Sequence, residues 1–262
     1  MTDSPVFAAL DKSVDERLYL QSVARALDVL ECFEDSPRVL SLNEIAKMLD
    51  INKSAAQRTV NTLLARNYLA KAEGAGYQLG HKVLDCAFNF LRNNPLVERA
   101  TPVLSELRKT SSERVDLSLF DFTSLIYALR FQSKRETFYA TLVGRRLPVY
   151  NSAGGRSCLA HLDDALVREI LQRQDRRPVT PKSIVEIDAI MQKIAETRQN
   201  MFALSVEEAL IGEVVVAAAI RSPSGHPIGA VHMAGSLGEW TPEAFQSRFA
   251  PLVVEAARAL SI

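Results

Sequence analysis

Residues 51 to 71 form a segment rich in hydrogen-bonding side chains, and their chemistry is the easiest in the chain to interpret. Four polar residues in it follow the i, i+3, i+4, i+7 spacing, so a helix would align them in one stripe. They are Ser54, Gln57, Arg58 and Asn61. An arginine can donate two hydrogen bonds to O6 and N7 of guanine, and a glutamine can pair with adenine. The stripe therefore predicts contacts with base edges in the major groove of DNA.

Residues suited to phosphate contacts lie around this stripe, and no acidic residue occurs between 51 and 71. The candidates for phosphate contacts are Lys53, Thr59, Arg66 and Lys71. Such contacts fix the register of a protein on DNA without reading its sequence. Ser54 and Gln57 also have capping-box spacing, so a second interpretation is that Ser54 closes the helix end and contacts a phosphate. A polar stripe by itself is more often a solvated helix face. Whether this one contacts DNA is therefore judged from the elements next to it in the sequence.

Those neighbouring elements predict a winged helix-turn-helix. Ser22 is placed to cap a first helix. Its apolar residues are Val23, Ala26, Leu27, Leu30 and Phe33. After a break at Ser36 and Pro37, a capping box of Ser41 and Glu44 begins a short second helix. The third helix, KSAAQRTVNTLLARN, carries the stripe opposite an apolar face, and two strands, YLAKA and YQLG, flank the turn EGAG, where glycines permit positive φ.

Composition favours a folded protein of two domains. The chain has 262 residues, of which 47% are hydrophobic and 24% charged, and its formal net charge is zero. No apolar run approaches the roughly 20 residues that span a bilayer, and residues 1 to 16 are acidic where a secretory signal would be basic, so we expect a cytoplasmic protein. The three cysteines are far apart in apolar stretches, which predicts neither disulfides nor a metal site, and no cofactor is expected.

Beyond residue 112 the pattern alternates between strands and helices. The strand-like segments are VDLSLFD, LIYALRF, VVVAAAI and PIGAVHMAG. The helical segments are DALVREILQR, IDAIMQKIAETRQ and PEAFQSRFAPLVVEAARAL. Short turns at Asp121 to Thr123 and Ser222 to Gly225 would join neighbouring strands. The fold class is therefore α+β.

Two groups of residues could suggest an enzyme, but neither has the arrangement that catalysis needs. Ser157 and Cys158 precede His161 without an identifiable residue to orient the histidine, and Glu207 and Glu208 would point to opposite faces of a strand. Glu213 is the third carboxylate that could belong to this second group. No phosphate-binding glycine loop or metalloprotease motif occurs. We therefore expect no catalytic residues.

The chain resembles the IclR family of bacterial transcription regulators. The similar segments of the first domain are QSVARALDVLECF, LSLNEIAKMLDINKSAAQRTVNTL and NYLAKAEGAGYQLG. Those of the second are LPVYNSAGGRSCLA and MFALSVEEALIGEVVVAAAIRSPSGHPIGAVHMAGS. The resemblance implies a winged helix-turn-helix followed by a GAF-like (profilin-like) effector domain with a mainly antiparallel sheet flanked by helices. The expected boundaries are a mobile arm at 1–16, the DNA-binding domain at 17–80, a linker helix at 81–95 and the effector and oligomerisation domain at 96–262.

The resemblance also implies a small-molecule effector. The family's pocket positions correspond to Leu147, Ala153, Gly154, Ser205, Val215, His232 and Ala234. Asn151 and Ser152 complete the glycine-containing segment 151–155, which we expect to expose backbone donors just before a helix that begins near Arg156. The alternative is a glycine turn that only lets the chain enter that helix. Val215 and Ala234 cannot hydrogen-bond a small acid through their side chains, which favours a more apolar, even aromatic, effector.

Two further residues are open to more than one interpretation. His232 lies in the apolar strand AVHMAG, where a histidine is either a ligand contact or a satisfied core residue. Arg130 would be a carboxylate partner if it faces inward, and the strand pattern does not fix its direction.

The function expected from the sequence as a whole is that of a homodimer or dimer of dimers that binds double-stranded operator DNA as repressor or activator. The alternative functions are a ligand-binding module that no longer reads DNA and, less favoured, a small-molecule enzyme.

Overall fold

The computed structural model describes residues 17–34, 39–74, 76–133 and 143–261. The chain divides into two compact units, Met1–Asn89 and Phe90–Ile262. The predicted arm at 1–16 and the predicted break at Ser36 and Pro37 lie outside the described residues. No helix in the described ranges is both long enough and apolar enough to cross a membrane.

Three helices and a hairpin make up the first unit. The helices are α1 (Gln21–Glu31), α2 (Leu42–Met48) and α3 (Lys53–Ala65), and the strands are β1 (Leu69–Lys71) and β2 (Tyr77–Leu79). The strands pair antiparallel, and Leu40 adds a single bridge to Tyr77. Val29, Ile45 and Val60, one from each helix, are fully buried in a shared core. Gly74 has φ +97°, as the predicted hairpin turn requires.

The first helix differs from its prediction in its cap and in its buried face. Leu20 occupies the N-cap without a side-chain hydrogen bond, so Ser22 lies inside the first turn and does not cap the helix. Ala26, Leu30 and Phe33 pack on the core as predicted, but Val23 and Leu27 are each 53% exposed, and Val29, which the pattern omitted, is fully buried. The helix packs through Val29 because its contacts with α2 and α3, rather than its own periodicity, fix its rotation.

Helix caps hold the ends of α2 and α3. The predicted capping box is present, because Ser41 Oγ accepts from the amide of Glu44 and the Glu44 carboxylate accepts from the amide of Ser41. At α3 the cap is Asn52, whose Oδ1 accepts from the amide of Ala55 at 2.8 Å. The interpretation of Ser54 as the cap is therefore wrong, because Ser54 is the second residue of the helix.

The second unit is built on one six-stranded sheet. Its strands are β3 (Arg114–Asp121), β4 (Ser124–Phe131), β5 (Arg146–Pro148), β6 (Ala203–Val206), β7 (Glu213–Arg221) and β8 (Pro227–Ser236). Their order is β5-β4-β3-β8-β7-β6, and every neighbouring pair is antiparallel. The four strands predicted from the sequence are all present. The predicted α+β class with a mainly antiparallel sheet is confirmed.

Helices cover both faces of this sheet. The remaining helices are α4 (Lys82–Arg92), α5 (Pro95–Ser111), α6 (Ala153–Leu159), α7 (Asp164–Gln172), α8 (Ile187–Asn200) and α9 (Pro242–Leu260). The largest core forms where α5 and α9 cover one face, around Leu104, Val216 and Phe249. On the other face, α6 packs on β7 and β8 and against α8. The helix α4 lies within the range predicted as a linker helix, and none of its residues is buried.

Candidate functional site

The polar stripe of α3 lies on the side of the helix opposite its buried residues. Ala56, Val60 and Leu63 are buried, whereas Ser54, Arg58 and Asn61 are exposed and Gln57 is half-buried. Gln57 Nε2 donates to Asn61 Oδ1 at 2.9 Å, which holds the two amides together along the stripe. The remaining amide donor and acceptor positions stay free to meet a base edge.

The residues predicted to contact phosphates lie at the ends and side of this stripe. Lys53 begins α3, Arg66 is its C-cap residue, and Lys71 ends β1, all of them exposed. Thr59 is different, because its half-buried hydroxyl donates to the carbonyl of Ala55 at 3.1 Å. The hydroxyl hydrogen of Thr59 is therefore already used in a hydrogen bond within the helix. Asn52, the cap that fixes the first turn, was missed although an asparagine before a helix is a common capping signal.

In the second unit, the glycine segment is part of a helix rather than an exposed loop. Ser152 is the N-cap of α6, its Oγ accepts from the amide of Gly155 at 3.1 Å, and the helix begins at Ala153. The expected start near Arg156 is therefore three residues too late, and the segment is buried. A Cβ on Gly155 would lie 2.2 Å from the carbonyl oxygen of Val149, so close packing excludes a side chain there. Packing of α6, and not a turn, explains the glycines.

His232 fills the space directly beneath α6. A Cβ on Gly154 would lie 2.0 Å from His232 Cε1. The imidazole is 2% exposed and its Nε2 lies 2.6 Å from Ser118 Oγ. Burial lowers the pKa of His232 to about 4, so the ring is neutral at physiological pH. His232 is thus a hydrogen-bonded core residue in this structure, and its role in effector binding stays a prediction.

Two rows of directly opposed residues cross the sheet on the face that α6 covers. The first row is Ser205, Val215, Ala234 and Arg114. The second row is Ala203, Ala217, His232, Asp116 and Arg130. Opposed residues of neighbouring strands share a face, so the predicted positions Ser205, Val215, His232 and Ala234 do come together. Ala153 packs on this face against Ala203, Ala217 and Val215.

Ion pairs join the charged ends of the two rows. Arg130 Nε donates to Asp116 Oδ1 at 2.7 Å, and Arg114 Nε donates to Asp116 Oδ2 at 3.1 Å. Arg114 also reaches Glu213 at 2.7 Å. The side chains of Arg130 and Asp116 are 3% and 1% exposed. Arg130 therefore faces inward, which the strand pattern left open.

A cavity of about 180 Å³ adjoins these ion pairs. Its lining residues are Arg114, Tyr127, Arg130, Arg145, Leu147, Ala209, Leu210 and Glu213. The Arg130 guanidinium lies over the Tyr127 ring, 5.1 Å from its centroid. Arg145 is exposed and has no carboxylate partner within the described parts of the chain. Arg130 and Leu147 are the predicted effector residues that line this cavity directly.

Sequence reasoning missed several residues of this region, among them Arg114, Asp116 and Tyr127. One signal was available, since Arg114, Asp116 and Ser118 alternate with apolar residues along one strand. Asn151, another predicted effector residue, is buried, and its Oδ1 has no hydrogen-bond partner among the described residues.

The residues weighed as enzymatic candidates have structural partners instead. Cys158 is fully buried, its Sγ donates to the carbonyl of Gly229, and burial raises the pKa of its thiol, so no thiolate nucleophile is available. Glu208 accepts two hydrogen bonds from the fully buried guanidinium of Arg156, at 2.7 and 2.8 Å. Glu207 pairs with Lys182 instead. The two glutamates thus have different partners, but they lie in the turn after β6 and not in a strand as expected, and Glu207 has φ +57°.

Comparisons with known proteins match both units. The family model described as IclR helix-turn-helix domain matches residues 22–73, and the one described as bacterial transcriptional regulator IclR C-terminal matches residues 88–262. The chain is 28% identical over 243 residues to the Pca regulon regulatory protein of Pseudomonas putida, covering 92% of this chain and 83% of that protein.

Solved structures give the same assignment. A transcriptional regulator from Rhodococcus sp. RHA1 is 28% identical with a TM-score of 0.78, over 92% of this chain and 97% of that one. An IclR homologue from Microbacterium hydrocarbonoxydans, solved with 4-hydroxybenzoate, has the same fold, with a TM-score of 0.75 at 20% identity over 92% and 98% of the two chains. The curated relatives are named as regulators and repressors rather than enzymes. The chain belongs to the IclR family of DNA-binding bacterial transcriptional regulators.

Proposed function

We propose that this regulator binds an inverted-repeat operator through α3, and that a small organic acid bound in the 180 Å³ cavity changes that binding. The observation that carries the effector proposal is the guanidinium of Arg145. Arg145 lines the cavity, is exposed, and has no ion pair among the described residues. Arg114 and Arg130 line the same cavity and form ion pairs with Asp116 and Glu213. A carboxylate of a ligand would give Arg145 a charged hydrogen-bond partner.

The remaining walls favour an acid with a flat or apolar body. Tyr127, Leu147 and Leu210 contribute apolar surface to the cavity. Its volume is below the roughly 300–1,000 Å³ typical of drug-sized ligands. A monocarboxylic acid with a single ring or a short chain suits such a space.

One relative supports this ligand class. The IclR homologue from Microbacterium hydrocarbonoxydans was solved with 4-hydroxybenzoate, which is an aromatic acid with a single ring. Val215 and Ala234, the predicted positions that suggested an apolar effector, do not line the cavity. The apolar character of the proposed ligand therefore rests on Tyr127, Leu147 and Leu210.

On DNA, we assign base contacts to the exposed stripe and phosphate contacts to its borders. Gln57, Arg58 and Asn61 would read base edges. Lys53, Arg66 and Lys71 would contact phosphates, with Ser54 at the start of the helix facing either target. Thr59 would contribute little, because its hydroxyl is bonded within α3.

A single helix-turn-helix makes few contacts, so we propose that two heads bind one operator. A homodimer or a dimer of dimers in the cytoplasm would place two copies of α3 on two half-sites, and the operator would be an inverted repeat. An effector that binds one arrangement of the heads better than another would shift operator affinity.

Calorimetry on the full chain tests the effector proposal, with benzoate and 4-hydroxybenzoate as probes. We expect at least one to bind, and Arg145→Ala to weaken it about tenfold to a hundredfold, as for loss of a hydrogen bond to a charged group. Arg145→Lys should retain part of the affinity. The matched control is Arg168→Ala, an exposed arginine of α7 that does not line the cavity. Equal affinity in Arg145→Ala and the wild type would place the acid elsewhere.

Selection of binding sites from a random DNA pool tests the operator proposal. An enriched inverted repeat, released or bound more tightly when the acid is added, is the expected outcome. Failure of the folded wild-type chain to enrich any sequence would favour the other function, a ligand-binding module that does not read DNA.

A further inference from the structure

A groove of about 460 Å³ lies between α1 and α3 in the first unit. Arg25 of α1 lines it from one side, and Arg58 and Thr62 of α3 line it from the other. No acidic residue lines this groove. Sequence reasoning did not single out Arg25, because the residue belongs to the first helix and not to the polar stripe.

The charges of this groove are not compensated within the structure. Neither guanidinium, of Arg25 or of Arg58, has a carboxylate or hydrogen-bond partner among the residues described for this unit. Arg25 is half-buried all the same, so its charge is partly removed from solvent. A partly desolvated charge without a partner is unfavourable, and an anion in the groove beside Arg25 would compensate it. The groove is therefore suited to an anionic group.

We propose that this groove binds a backbone phosphate of the operator, and that Arg25 is the α1 residue that contacts it. The inference rests on the proposed binding of α3 to DNA. The groove borders the polar stripe, since Arg58 belongs to both. The major groove is about 12 Å wide and is bounded by phosphates, so a helix lying in it has a phosphate strand on each side. Arg25 contacts one strand, and a phosphate is the anion that DNA presents there.

An arginine suits this position because its planar fork can donate two hydrogen bonds to phosphate oxygens. The contact is independent of base sequence, in contrast to the base contacts assigned to the stripe. Arg25 consequently contributes to affinity for every operator variant by the same factor.

The experiment measures operator affinity of the full chain as a function of salt concentration for Arg25→Gln. Each phosphate contact contributes about 0.9 to the slope of log affinity against log salt concentration. We expect Arg25→Gln to reduce that slope by about one unit for each head bound, without changing the preference among single-base operator variants. Arg25→Lys should keep most of the slope, because it keeps the charge.

The matched control is Arg258→Gln, which removes the same charge from an exposed position of α9. It should leave the slope unchanged. Glutamine retains much of the arginine stem that lines the groove, and circular dichroism melting verifies that the first unit stays folded. If glutamine impairs folding, the folded Arg25→Met variant gives the same test, because methionine also removes the charge and keeps an unbranched stem.

The outcomes separate this inference from the proposed function. Wild-type chain that binds its operator, with an unchanged slope in Arg25→Gln, overturns the phosphate contact and leaves operator binding intact. A change of base preference in Arg25→Gln also overturns it, because Arg25 would then read bases. Wild-type chain that binds no DNA overturns the proposed function itself.

Discussion

The polar stripe of α3 and the charged rows beneath α6 use similar residue types in opposite ways. In α3, Arg58 and Asn61 are exposed, and the one hydrogen bond between stripe side chains joins Gln57 to Asn61. In the sheet, Asp116 and Arg130 are almost completely buried and satisfy each other. The first arrangement leaves its donors for a partner, whereas the second uses most of them internally.

Because of this difference, the stripe residues can contribute to binding without contributing to stability, whereas the buried charged residues near the cavity contribute to stability as well. An exposed side chain away from special features can be exchanged with a stability change within about 0.5 kcal/mol. A buried charge that loses its partner destabilises the protein by several kcal/mol. Substitutions of exposed stripe residues should therefore change binding alone, and substitutions of the buried charges near the cavity should change folding as well.

The largest effect is expected at the buried pair of Arg156 and Glu208, which ties α6 to the loop after β6. Arg156→Met should destabilise the second unit by about 3–5 kcal/mol, because Glu208 would remain buried without its partner. Trp240, the only tryptophan of the chain, lies in this unit and reports its unfolding by fluorescence in urea.

The double variant Arg156→Met with Glu208→Leu tests whether the lost stability comes from the unpaired charge of Glu208. It removes both charges, so it should recover most of the lost stability. A single Arg156→Met variant within 1 kcal/mol of the wild type would mean that water or rearrangement compensates Glu208. The contrast between the two units would then be weaker than proposed.

A smaller effect is expected where α6 contacts His232. Gly154→Ala should destabilise the second unit by about 1–3 kcal/mol, because its methyl group would overlap an imidazole fixed by Ser118. In a His232→Ala background the same change should cost less than about 1 kcal/mol, since the ring is gone. Urea unfolding of the four proteins gives the coupling, and equal effects of Gly154→Ala in both backgrounds would show that the ring moves aside.

The DNA-binding stripe was predicted from the sequence more completely than the effector region. The capping box at Ser41 and Glu44 and the stripe of α3 depend on residues three or four apart, so both could be read directly. The error at Ser54 arose because Asn52, two residues earlier, could also cap the helix, whereas α1 begins after Leu20 without any side-chain cap. Local chemistry narrows such choices without deciding them.

The effector region was harder to predict because its contacts are long-range. Asp116 meets Arg130 and His232 only through the order of β4, β3 and β8, which no local pattern specifies. The contact of Gly154 with His232 likewise depends on how α6 packs on the sheet. Family resemblance placed His232 and Ala234 in one region, but it did not indicate the ion pairs of Arg114 and Asp116.

The smallest effect on stability, and the clearest effect on specificity, is expected at Arg58. Arg58→Ala should leave the melting of the first unit within about 0.5 kcal/mol of the wild type, since its side chain is exposed and has no partner among the described residues. It should also remove about 1–3 kcal/mol of discrimination at one base pair of each half-site. Lys71→Ala, in β1, is the comparison, because loss of a phosphate contact weakens binding to all sequences alike. Titrations over single-base operator variants distinguish the two. If both variants lose affinity uniformly, Arg58 acts on phosphate together with Arg25, and base reading would rest on Gln57 and Asn61.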